Sequence, residues 1–87
     1  MMDLDPAQRM RAAAERTHQN AQNFAHILLR VAEALERSAT LADEHAQRNR
    51  QAGHPAGAVD EQNAAKRARE AAQRARSRAH SLARRDS

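Results

Sequence analysis

The chain has no cysteine, no tryptophan and no tyrosine, and only one phenylalanine, two glycines and two prolines among 87 residues. Each shortage excludes something. Without Cys there can be no disulfide and no thiolate metal site. With Phe24 as the sole aromatic residue, single-stranded nucleic acid has almost nothing to stack on. Glycine occurs only at 53 and 57, so there is no glycine-rich phosphate loop. No segment approaches the ~20 apolar residues of a membrane span. The start, MMDLDPAQRMR, lacks the basic-then-apolar order of a secretory signal, and a cytoplasmic location is expected.

Large apolar side chains are scarce as well. Apolar residues make up 40% of the chain, but 22 residues are alanine. The larger ones are Phe24, Ile27, Leu28, Leu29, Val31, Leu35, Leu41, Val59 and Leu82, with Leu4 and three Met. That set cannot fill an ordinary globular core, and the length allows one small domain.

What is present is helical patterning. Asp5 can cap a helix, Pro6 suits its first position, and Gln8 completes a capping box. From Pro6 to Arg50 there is neither glycine nor a second proline. A 4-3 spacing runs from Met10 through Ala14, Thr17, Ala21, Phe24, Leu28, Val31, Leu35, Ser38 and Ala42 to His45, which reads as a heptad seam. The stretch QAGHPAGAVDEQ then predicts a turn over 51–59. Gly53 stands where a left-handed C-cap is wanted, Pro55 follows, and Asp60 caps a second helix with Glu61 in its first turn. In that helix Ala65, Ala68, Ala72, Ala75, Ala79 and Leu82 form a second seam.

The fold class that follows is all-α: an antiparallel two-helix hairpin in a single domain over 1–87, with helix 1 over 6–50 and helix 2 over 60–85. Folding at Pro55 makes facing positions sum to about 110. Ala68 then faces Ala42, Ala75 faces Leu35 and Leu82 faces Leu28, small residues against large, while the N-terminal part of helix 1 overhangs.

One partner helix would leave both flanks of helix 1 wet: Ile27, Ala34 and Leu41 on one side, and Ala25, Ala32, Ala39 and Ala46 on the other. Pairing of two hairpins into a four-helix bundle is therefore expected. Its packing interface would draw on Phe24, Ile27, Leu28, Val31, Leu35 and Leu41 with Ala68, Ala72, Ala75 and Leu82. The function expected is a non-catalytic scaffold or adaptor whose partner is a second copy or another helical protein.

Charge is concentrated in the second helix. The chain carries +4 overall, and 64–85 hold eight basic residues against the single acid Glu70. Lys66, Arg67, Arg69, Arg74, Arg76 and Arg78 could contact phosphates, which gives an alternative reading as a non-specific nucleic-acid or polyanion binder. The run AREAAQRAR resembles the basic region of bZIP proteins. Ala68, however, stands where that family keeps its base-reading Asn, and the chain ends at Ser87 with no zipper after it. Sequence-specific reading of that kind is not expected. An alanine seam with a solvated Arg exterior explains the same pattern.

Catalytic chemistry finds no foothold. The five histidines, His18, His26, His45, His54 and His80, include no i,i+4 pair and no HExxH. His45 lies near Asp43 and Glu44, too few ligands for zinc. Glu33, Glu36, Asp43 and Glu44 are expected on the outer face, opposite the seam, with no dry pocket for acid–base work. No enzyme activity, metal or cofactor is expected.

The stretch FAHILLRVAEALERSATLADEHAQRNRQAG, followed by an Ala/Arg-rich helix, resembles small helical-hairpin proteins of actinobacteria that carry no assigned function. The resemblance covers residues 24–80 and is one of layout; it implies a hairpin. Secreted WXG-type hairpins differ at the turn, because AGHPAG has no Trp.

Overall fold

The computed structural model describes Asp3 and residues 5–85, which form two α-helices, α1 (Pro6–Gln51) and α2 (Pro55–Arg85), packed as an antiparallel hairpin. Met1, Met2 and Leu4, named above among the apolar residues and at the chain's start, lie outside the described residues, as do Asp86 and Ser87. No helix of the described residues is long and apolar enough to cross a membrane.

The start of α1 is as its sequence dictates. Asp5 Oδ1 accepts from the Gln8 backbone N–H at 2.7 Å, and Gln8 Oε1 accepts from the Asp5 N–H at 3.1 Å. Two otherwise orphaned donors are thereby satisfied reciprocally. The helix then runs for 46 residues without interruption.

Its end is sharp. Gly53 takes φ +79°, the His54 N–H reaches back to the Asn49 carbonyl at 2.7 Å, and the Gly53 N–H reaches the Arg50 carbonyl at 3.2 Å. This pair of bonds is the Schellman closure, which needs a residue in the left-handed region. Arg48 and Arg50 in the last turn complement the negative end of the dipole.

The second helix begins sooner than the sequence suggests. The turn over 51–59 shrinks to Ala52, Gly53 and His54, and Asp60 with Glu61 lies inside α2 rather than at its cap. The reason is local. Pro55 is not a breaker here but the first residue of α2, where its missing N–H costs nothing, and the Ala58 N–H bonds the His54 carbonyl at 3.2 Å. Gly57 then lets α2 start hard against α1: a Cβ there would lie 3.1 Å from Asn49 Nδ2. Facing positions accordingly sum to about 106, one helical turn short of the expected register.

Alanine holds the two helices together. The buried residues are Ala32, Ala39 and Ala46 on α1 and Ala58, Ala65, Ala72, Ala75 and Ala79 on α2. On each helix the spacing is seven, with Ala75 added between. A side chain of one methyl lets two helix axes come close, and the dense backbone contact replaces the large side chains this sequence lacks. Leu28 and Leu35, half-buried, pack against Ala32, Ala72 and Ala75. The seam of α2 is the expected one, whereas that of α1 is displaced by one residue on one side. Ala25, Ala32, Ala39 and Ala46 occupy the interface where Phe24, Val31, Ser38 and His45 were expected. A close approach has no room for Phe or Val, so they are turned aside. Alanines therefore face alanines along the buried line, while Leu35 packs against the cluster that holds Ala75, as the small-against-large pairing expects. Leu82 does not face Leu28; it lines a groove with His18, Ala25 and Leu29 near the end of α2.

Helix α1 outruns α2. At ~1.5 Å per residue α1 is ~69 Å long and α2 ~46 Å. Along residues 6–20 only Ala12 and His18 are half-buried, and the rest are exposed.

Candidate interaction surface

The two edges of the α1–α2 interface differ in kind. One edge is closed by ions. Arg76 grips Glu36 through both guanidinium nitrogens, with Nη2 donating to Oε2 at 2.8 Å, and Arg69 donates to Asp43. The Arg76 hydrogen bond holds the Glu36 carboxyl below the ordinary carboxylate range, and Glu36 in turn raises the Arg76 guanidinium. These two acids thus lie beside the seam and not opposite it, which corrects their expected place on the outer face. The cause is the same one-residue displacement of α1, which swings the column of Leu29, Glu36 and Asp43 towards α2.

The other edge is apolar. One residue behind the buried seam, about 100° round the helix, a second 3-4 stripe steps along α1 from Met10 to Leu41. All ten of its positions are uncharged. Its large members, Met10, Phe24, Ile27, Val31 and Leu41, are between 43% and 73% exposed. Thr17, on the same stripe, donates its hydroxyl to the Ala13 carbonyl at 3.0 Å and so is already satisfied within its own helix. The corresponding stripe of α2, one residue behind its seam, is broken by Asp60, Arg67, Arg74 and Arg78. The open apolar stripe therefore belongs to α1 alone among the described residues.

The residues expected to form one packing interface are divided by this geometry. Ala72 and Ala75 are buried between the helices, and Leu28, Leu35, Ala68 and Leu82 are half-buried at that interface or its end. Phe24, Ile27, Val31 and Leu41 face outward. Sequence reasoning missed the heptad alanines of α1 and the two acids that clamp α2. The signal for both was available in alanine at every seventh residue from 25 to 46 and again from 58 to 79.

The basic residues are divided likewise. Arg69 and Arg76 are tied to acids of α1, and the Arg78 guanidinium lies 5.8 Å from the centre of the Phe24 ring, a cation–π distance. Lys66, Arg67 and Arg74 are exposed. His45 is half-buried, with Nδ1 4.0 Å from Glu61 Oε2. Among the described residues no group of three or more His, Asp or Glu side chains could hold a metal ion.

The grooves on this surface are open and shallow. The one at the end of α2, about 390 Å³, is lined by His18, His26, Leu29 and Leu82 among others. No family model, curated protein or solved structure matches the chain, so what it is for must be read from this surface.

Proposed function

We propose that the chain is a non-catalytic helical-hairpin module for self-association and protein–protein interaction, working through the open stripe of α1. One observation carries this reading. The hairpin buries alanines and leaves outside the large apolar residues Phe24, Ile27, Val31 and Leu41. Each large apolar side chain contributes about 1.5–3 kcal/mol when removed from water, and alanine far less. About half of the surface of each of these four side chains is still in water, so a substantial part of their hydrophobic free energy is unused until a second surface covers the stripe. An exposed apolar patch, here unbroken from Phe24 to Ala34 along the stripe, marks an interaction site in a water-exposed protein.

Replacing Ile27 and Leu41 together by Glu tests the reading. Both lie away from α2, so the hairpin should keep its helix content by circular dichroism. The melting temperature of the native chain should rise with protein concentration, and that of the variant should not. Concentration-independent melting of the native chain would overturn self-association.

A second reading, binding of nucleic acid or another polyanion by α2, is favoured by the exposure of Lys66, Arg67 and Arg74. It ranks behind the first because Arg69, Arg76 and Arg78 are already engaged with α1.

A further inference from the structure

We infer that the occupant of the α1 stripe is α1 of a second copy, lying antiparallel, with the two-fold axis between Ile27 and Val31. The inference rests on the self-association reading and adds to it an orientation and a register.

The stripe selects its own kind. It is uncharged from Met10 to Leu41, whereas the matching face of α2 is charged, so a second copy offers one surface of like chemistry, another α1. Its direction also fits. Being one residue behind the seam, it faces about 100° away from α2, and a helix at the corner of a four-helix bundle has its two neighbours in about such directions. Length points the same way. The stripe begins in the overhang that α2 does not reach and extends towards the turn, so the overhang of one copy must find a neighbour along the turn-proximal half of the other. An antiparallel arrangement sets each overhang against the two-helix part of the other copy, whereas a parallel one leaves the overhangs paired only with each other. With Ile27 layered on Val31 of the second copy, the two stripes overlap over residues 17–41, about 25 residues of helix ~38 Å long and ~10 Å wide, or ~375 Å² on each copy. The stripes thus supply ~750 Å² of the ~1,000 Å² expected of a specific interface, and the flanking positions and α2 must supply the rest.

The register follows from size and polarity. In antiparallel helix pairs the alternating core positions meet in mixed layers, as Ala32 and Ala75 do in the hairpin. Applied to the stripe with Ile27 layered on Val31 of the second copy, the rule places Phe24 against Ala34 and Asn20 against Ser38. Large meets small, and the two polar side chains meet each other. Shifted by one heptad towards the N-terminus, Phe24 would meet Ile27, and Asn20 would meet Val31. That arrangement overpacks one layer and strands an amide in the next.

The absence of native Cys makes the test clean. Asn20→Cys and Ser38→Cys are each made alone, at exposed positions. Equimolar mixing under mild oxidation should give a disulfide-linked dimer joining the two variants. Either variant alone should not cross-link, since like positions would lie 18 residues, ~27 Å, apart. Cross-linking of each variant with itself would mean parallel pairing and overturn the proposal. A dimer by light scattering with no cross-link in the mixture would overturn the register and leave self-association standing. A folded monomer at every concentration would overturn both, and would assign the stripe to a different helical protein.

Discussion

Ala32 of α1 and Ala72 of α2 lie in one buried cluster at the middle of the hairpin, and neither exposes more than 1% of its surface. The helices are close because both residues are small. Ala32→Leu or Ala72→Leu should therefore destabilise the chain by about 1–3 kcal/mol, the usual range for forcing methylenes into a filled interface. Denaturant midpoints followed by circular dichroism would show it. A gain in stability from either change would mean that the helices stand farther apart than alanine contact requires.

The Glu36–Arg76 clamp makes an acid limb in the stability profile. Because the folded state lowers the Glu36 pKa, the clamp's stabilisation is present above the unfolded carboxyl pKa. It is lost as pH falls through the folded value. Glu36→Gln should remove that part of the acid loss, and added salt should weaken the native clamp because both groups are exposed. An acid limb identical in the native chain and in Glu36→Gln would show that the clamp contributes nothing.

The two glycines should respond with opposite signs. A Cβ at Gly53 meets no atom within 4 Å, so Gly53→Ala is opposed only by its φ of +79°, at a cost of about 1–2 kcal/mol. At Gly57 the backbone is helical, and the obstacle is the movable end of Asn49. Gly57→Ala should be neutral or stabilising by up to ~1 kcal/mol, the helix-propensity difference. Thermal melts of the two variants would show the contrast, and equal losses would mean that the Asn49 side chain cannot move aside.

Binding of α2 to DNA, where it occurs, should be weak, indifferent to sequence and steeply reduced by salt, as phosphate contacts alone dictate. Changing Lys66, Arg67 and Arg74 to Gln should lower it while leaving helix content unchanged, because exposed substitutions usually move stability by less than ~0.5 kcal/mol each. Sub-micromolar, sequence-selective binding at physiological salt would place α2 ahead of the α1 stripe as the working surface.

Much of this architecture is legible in the sequence. The capping box at Asp5 and Gln8, the left-handed Gly53 and the alanine seam of α2 each follow from local chemistry. The seam of α1 is harder, because four adjacent columns of that helix are largely uncharged and the larger residues draw attention. Ranking positions by side-chain size selects Phe24 and Val31, whereas proximity to an alanine helix selects Ala25 and Ala32. Pro55 misleads for a related reason, since the same residue ends one helix and begins the next. The pairing of Glu36 with Arg76 spans forty positions and depends on the register, so no local pattern announces it.

The most direct measurement is molar mass by light scattering across a concentration series, with helix content recorded on the same samples. A mass of at least twice the 9.7 kDa of one chain, held by the native protein and lost in Ile27→Glu/Leu41→Glu without loss of helix, is the expected result. A fully helical 9.7 kDa monomer at every concentration would contradict it.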